Sequence, residues 1–389
     1  MSRFIASNSN RFYCVTESQY GQAAAVTAAN RFPAVRMQAH QSLLAGKRRD
    51  KTGSRTFRGV SPYGRRASAF EVRTYLTSWN APAEPSYGPL FQSAMGGAPR
   101  ISSNLIVAAA LSAATLQTTV GHGLSVGSAV SYSGEIRFVT AVPDNLTFAL
   151  NAPFSSTPAA NSTLAPAINY SLATALPSVT LYDYWDPASA VSRVVTGAAV
   201  NTVTITVNGD FHEFVFSGPA SDLLDSSNTQ FGTTGVAAFP VEPQIRTFDY
   251  SIVPGHLGQV WLGHAATQFF SLTSATIEIK NHIGLRNQEF GSVYPAALVP
   301  GEREVNVHFT LLAQDDAQTT ALYAAAKLRT PISAMLQLGQ HGGQILGIYL
   351  PNIVPEIPDY LDSETRLQWQ FNNCLAQGTS NDELYLAFA

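Results

Sequence analysis

A chain of 389 residues is long enough for two or three domains, and its charged fraction of 13% falls well below the ~25% usual in soluble proteins. Val, Thr, Phe, Tyr, Gly and Pro are plentiful, so the composition is that of a β-rich protein with little freely solvated surface, as in a subunit of an assembly. No apolar run approaches the ~20 residues that cross a bilayer, which excludes a membrane-spanning helix. The net charge of −3 hides an asymmetry: residues 1–75 hold 13 Lys and Arg against three acids, leaving ten basic and 23 acidic residues beyond them. Opposite signs in one chain suit head-to-tail association of copies, or an arm folded onto its own acidic body.

The first residues, Met1-Ser-Arg-Phe-Ile-Ala-Ser, show no apolar signal core followed by a cleavage site. Residues 1–33 read as a polar arm with a few aromatics (Phe4, Phe12, Tyr13, Tyr20, Phe32), held by neighbours rather than by a core of its own. Ala34–His40 alternates as a strand. Gln41–Arg66, with Lys47-Arg-Arg-Asp-Lys51, Gly53, Gly59 and Gly64, reads as a long loop with hairpin character. A strand over Phe70–Trp79 follows, then a short helix over Tyr87–Gly96, with Pro89 in its first turn and Gly96 as its stop.

Further on, Thr115–Val120, Ala129–Tyr132, Ile136–Ala141 and Leu146–Leu150 are short strands punctuated by glycines and by Pro143-Asp-Asn145, a small antiparallel module. Ser155–Ala175 returns the chain as a Ser/Pro/Ala-rich loop. Thr202–Phe216 contains Asn208-Gly209, a strong signal for a two-residue hairpin turn. Gly218–Ser271 is a connection punctuated by Gly and Pro. In Glu304–Leu328, Val305, Val307, Phe309 and Leu311 share one side of a strand; Asp315 or Asp316 then caps a helix carrying Leu322, Tyr323 and Ala326. Gln340–Gln344 turns the chain between Met335 and Tyr349.

This last strand and helix have a weaker twin. Glu71–Thr77 matches Glu304–Thr310 at an offset of 233, and Leu90–Ala94 matches Leu322–Ala326 at 232. Upstream, Ala34–His40 matches Thr276–His282 at 242. Downstream, Pro177–Leu181 matches Pro331–Met335 at 154, Gly197–Val203 matches Gly347–Ile353 at 150, and Phe214–Phe216 matches Trp369–Phe371 at 155. Elements kept in order with slowly drifting offsets indicate an internal duplication. The drop from 232 to 154 places an insertion of about 78 residues in the first copy. The chain then divides into an arm (1–33), a first domain (34–97 with 176–218), an inserted β domain (98–175), a connection (219–271) and a second domain (272–389).

Catalytic and ligand-binding patterns are missing. Gln340-His-Gly-Gly-Gln344 lacks the G-x-x-x-x-G-K-[ST] of a phosphate loop, and no G-x-G-x-x-G or G-x-S-x-G occurs. His256 and His264 have no carboxylate at ligand spacing, and Asp315-Asp316 is explained by helix capping. Cys14 and Cys374 sit in no C-x-x-C motif, so stability is expected from packing rather than from a disulfide. No enzyme, cofactor or metal is expected; the activity of such a protein is its shape.

The strand and turn patterns at Ala275–His282, Glu304–Leu328, Pro331–Val354, Arg366–Phe371 and Asp382–Phe388, and in the first copy at Ser54–Phe57, Glu71–Trp79 and Tyr87–Gly96, resemble the tail tube proteins of long-tailed bacteriophages. The resemblance implies a mainly β chain: two tandem tube-type β-sandwich or barrel domains, each with a flanking short helix, plus the inserted antiparallel module. It implies homo-oligomeric rings, trimeric with pseudo-sixfold symmetry or else hexameric, stacked into a conduit for DNA in the virion tail. Tape measure, tail terminator and distal tail proteins are the implied partners, the chain is made in the host cytoplasm, and DNA passes without sequence-specific binding. Lys47, Arg48, Arg49, Lys51, Arg55 and Arg58 are then candidates for a contact with a neighbouring subunit or ring, and Glu278, Glu304 and Gln370 for the lumen wall. The alternative is a carbohydrate- or receptor-binding β-sandwich virion protein, with the inserted module as its binding element.

Overall fold

The computed structural model describes residues 4–389 except 45, 47–48, 58, 60–63, 186–191, 208, 226–238, 245–247, 249, 264–267, 270 and 363–364. The protein is mainly β, with two helices, α1 (Gly88–Met95) and α2 (Ala317–Leu328), among the described residues. The strands of three residues or more begin with β1 (Arg11–Thr16), β2 (Arg36–Leu44) and β3 (Arg65–Tyr75). A compact set follows: β4 (Leu105–Ser112), β5 (Thr115–Thr118), β6 (Ala129–Tyr132), β7 (Glu135–Ala141) and β8 (Thr147–Leu150). Then come β9 (Ile168–Ser171), β10 (Val179–Tyr184), β11 (Arg193–Ala198), β12 (Thr202–Val207), β13 (Glu213–Ala220) and β14 (Asp222–Asp225). Before α2 lie β15 (Gly258–Leu262), β16 (Leu272–Lys280) and β17 (Glu304–Leu312). After it lie β18 (Ile332–Leu338), β19 (Leu346–Val354), β20 (Asp359–Leu361), β21 (Gln368–Ala376) and β22 (Tyr385–Phe388).

Eight strands form one antiparallel run in the order β2-β3-β13-β12-β16-β17-β21-β20; the close of β21 also pairs with the end of β19, through which the sheet continues to β22 and β9. Alternation decides its two faces. Val203, Ile205, Ile277, Ile279, Val305 and Val307 are buried on one side, while Thr202, Thr204, Thr206, Glu278 and Lys280 stand on the other. A slip of one residue would exchange the faces, so burial of the apolar side holds the register.

The pairing repeats after four strands. Across the ladder, Arg36, Arg73, Val215 and Thr204 stand side by side, followed by Glu278, Asn306, Leu375 and Val354. Arg36 and Glu278 lie 242 residues apart, Arg73 and Asn306 lie 233 apart, and Thr204 and Val354 lie 150 apart, the offsets at which these stretches match in sequence. The third strand departs from the expected 155: Val215 and Leu375 lie 160 apart, so Phe214 corresponds to Cys374 rather than to Trp369. The ladder to β17, with a register shift between Val307 and Phe309, places β21 there.

A second layer shows the same repetition. β1 pairs with β10, Cys14 opposite Leu181, and β15 pairs with β18, Trp261 opposite Met335. Leu181 and Met335 are themselves matched at 154. Residues read as an arm and as a connection therefore supply one strand each. β1 escapes a period-two reading because Phe12, Tyr13 and Cys14 are all buried. Asn208 of the Asn-Gly turn read in sequence lies outside the described residues; the ladder between β12 and β13 runs to Thr206 and Glu213, and beyond it the His212 carbonyl accepts the Leu76 N–H and Phe211 bridges to Pro254. The stretch 155–175 contains β9, which pairs with β22.

α1 lies between these layers, whereas α2 buries only Thr319, Leu322 and Ala326. Gly96, at φ 109°, ends α1 in the left-handed region, and Asp316 caps α2 by accepting the Thr319 N–H at 2.7 Å. Phe91 of α1 meets Phe214 and Phe216 of the eight-stranded run on one side and Tyr170 and Phe388 on the other, ring centroids 5.0–6.0 Å apart. Beside α1, the carboxylate of Glu84 accepts from the Tyr170 hydroxyl at 2.5 Å and from Gln92 at 2.8 Å. Burial raises its pKa, against the lowering effect of those bonds. The folded state thus favours protonated Glu84, and this contribution, complete below the unfolded pKa, is lost as pH rises through the folded one. Glu84→Gln is expected to remove that loss: its melting temperature should equal or exceed wild type at neutral pH and stay flat from about pH 4 to 7. Thermal melts across that range check this.

The inserted strands form a separate sheet, β4-β5-β8-β7-β6, around Leu116, Val139, Phe148 and Leu164. One fully buried cation pins it to the second half. Arg137 bonds Glu135 at 2.8 Å, the Pro153 carbonyl at 2.9 Å and Gln337 at 3.2 Å, and its guanidinium lies 4.1 Å from the Trp261 ring. Burial lowers its pKa to about 10, with Glu135 opposing. Burial would raise the Glu135 carboxyl, but the Ser155 hydroxyl and N–H, with Arg137, hold it low. Removing one partner of a buried pair costs about 3–5 kcal/mol. Arg137→Ala should therefore melt earlier than wild type and open residues 98–175 to limited proteolysis first.

Candidate functional site

The polar face of the eight-stranded run is an organised surface whose side chains stand away from the core. Rows of side chains cross it in register, such as Gln38, Glu71, Ser217, Thr202, Lys280 and Glu304. Glu278 and Glu304 both flank Lys280, with Glu278 bonded to it at 2.8 Å and holding its ammonium above the usual pKa range. Arg73 meets Glu213 at 2.8 Å. Gln370 sits opposite Thr310 on one side and Asp359 on the other. The three residues singled out in sequence thus occupy β16, β17 and β21 of one face, which mixes Thr, Asn, Gln and both signs of charge.

β2 is an open end of this run, whereas at the other end β21 shares its second edge between β20 and β19. β2 pairs only with β3 among the described strands, and β20, three residues long, pairs only with β21. The loop between β2 and β3 carries the basic candidates. Arg49, Lys51 and Arg55 are exposed there, while Lys47, Arg48 and Arg58 lie outside the described residues. A groove beside β2, lined by Arg36, Gln38, His40, Trp185 and Arg193, was not foreseen, because Trp185 and Arg193 come from distant strands.

The groove between α2 and β15 is lined mainly by apolar residues, among them Leu262, Phe269, Ala321, Leu322 and Leu328, with Gln318 and Thr330 its polar members. Among the described residues, no three of His, Cys, Asp or Glu gather as a metal site would require. Cys14 and Cys374 are free and separately buried, and burial raises both thiols, Cys374 to about 12. In the inserted module, Phe138, Phe148 and Phe154 are core residues rather than an exposed platform for sugars.

An amphipathic sheet with two four-strand sets in repeating register and one polar face defines a β-structural protein. The chain belongs to the phage tail tube protein family, whose model matches residues 7–371. No curated protein sequence matches it. It is accordingly a structural component of a phage tail.

Such a face should contribute little to folding. Arg73→Ala removes a half-exposed ion pair and should cost less than ~1 kcal/mol. Phe91→Ala empties the helix layer and should cost about 3–5 kcal/mol. Urea unfolding of both variants measures the contrast.

Proposed function

We propose that copies of this chain join edge to edge into closed rings with the polar face inward, and that the rings stack into the conduit through which DNA leaves the capsid. One observation carries the reading: two four-strand sets share one sheet in repeating register, β2 has no ladder partner on its outer edge among the described strands, and the row that ends at Val354 has no further strand beyond it. Closure of such a sheet removes exposed edges that otherwise invite uncontrolled pairing. With two sets per chain, three copies complete a pseudo-sixfold ring; a hexamer of chains is the alternative. Each tube domain then includes its second-layer strand, β1 in the first and β15 in the second, beyond the bounds 34–97 with 176–218 and 272–389.

The mixed charge of the face suits a DNA lumen. Phosphates that meet scattered Glu, Gln and Thr slide, whereas a basic wall would retain them. Glu278, Glu304 and Gln370 are assigned to this wall. The basic loop around Lys47, Arg48, Arg49, Lys51, Arg55 and Arg58 is assigned to contact with a neighbouring subunit or ring. Tape measure, terminator and distal tail proteins are the expected partners in a virion built in the host cytoplasm.

Negative-stain microscopy of the purified protein tests both points. Rings or tubes with a central hole are expected from wild type, and their absence when Lys47, Arg48, Arg49 and Lys51 are all changed to Glu. Isolated monomers of wild type at high concentration contradict the reading, and unchanged tubes in the variant contradict the role of the loop.

A further inference from the structure

We propose that the joint between copies is made by the open edge of β2 in one copy and the segment Pro355–Asp362 in another, and that Pro355 and Pro358 keep this joint weaker than the one inside the chain. The proposal rests on the ring reading above.

The chain contains its own template. Inside it, β12 joins β16 through six consecutive pairs, Thr202 opposite Lys280 through Val207 opposite Ala275. By the repeat, Thr204 corresponds to Val354 and Glu278 to Arg36. The next place in the row beyond Val354 therefore belongs to Arg36 of another copy, on a strand whose outer edge has no partner among the described strands. This open place commits the occupant to a second copy.

The two joints cannot be alike. The counterparts of Thr202–Val207 are Asn352–Ile357, and Ile353 is already flanked on both sides, by Ile332 of β18 and Ala376 of β21. The free edge begins only at Pro355, which has no N–H to donate, and Pro358 interrupts it again before the three residues of β20. Proline in a short edge strand is a recognised way of blunting it against pairing.

Side chains supply what the backbone does not. Ile357 and Tyr360 are 60% and 57% exposed, large values for apolar residues on a folded surface. The segment also carries Glu356, Asp359 and Asp362. Its basic counterpart is the groove at β2, lined by Arg36, by His40 and by Arg193, the last paired with Asp183 at 2.6 Å, with a buried Trp185 indole N–H that has no acceptor among the described residues. A long open strand and a blunted one of opposite charge produce chains that stay apart when dilute and close rings when concentrated.

The test compares wild type with Pro355→Thr/Pro358→Thr and with Glu356→Lys/Asp359→Lys, each first shown by thermal melting to fold like wild type. Ring formation is followed by sedimentation over a concentration series. The threshold should fall about tenfold in the proline variant, as expected for one or two regained backbone hydrogen bonds. It should rise by a similar factor in the charge variant and recover when Arg36→Glu is added. Rings with unmoved thresholds in both variants overturn the joint while leaving the ring reading intact. No rings from wild type at any concentration overturn both.

Discussion

From Thr202 to Val207, β12 lies against Lys280 to Ala275 of β16, and through this ladder two four-strand sets become one surface. Val203 and Ile205 bury on the same side as Ile277 and Ile279, so the polar sides of both halves are forced into a common face. The second layer can then cover only the apolar side, where the helices and the strands around β10 and β18 pack. Without this ladder, each half would present its own short sheet and its own pair of edges. With it, both halves share one continuous sheet.

How the two halves are covered differs. α1 is buried under β9 and β22, because the return limb of the insertion and the C-terminal strand both close over Phe91. α2 has no insertion to cover it, and Leu328 is left 75% exposed. The insertion thus contributes to the first helix layer as well as forming its own core. Arg137 is buried where that core meets β15 and β18, and its hydrogen bonds fix the position of the module.

Much of this was legible in sequence for a physical reason. Strands with one wet face alternate, and the matches at offsets 242, 233 and 150 turned out to mark residues that occupy equivalent places in the ladder. Glu278, Glu304 and Gln370 could be placed on one face by the same alternation. What stayed hidden lacked periodicity. β1 is buried on both sides, β15 is only five residues long, and β9 is four residues in a Ser- and Pro-rich stretch. The match of Phe214 to Trp369 compared two aromatic strands without the register shift that displaces β21. The groove at β2 depends on Trp185 and Arg193, which only the folded second layer brings to Arg36.

The central claim is that one chain supplies two quasi-equivalent sectors of a closed wall. The rotational order of an assembled tube, read from cryo-electron microscopy, tests it most directly. The account predicts three chains per ring, with β2-β3-β13-β12-β16-β17-β21-β20 following one another around the lumen and Glu278 and Glu304 facing it. Six chains per ring, or a wall with this polar face turned outward, would contradict it.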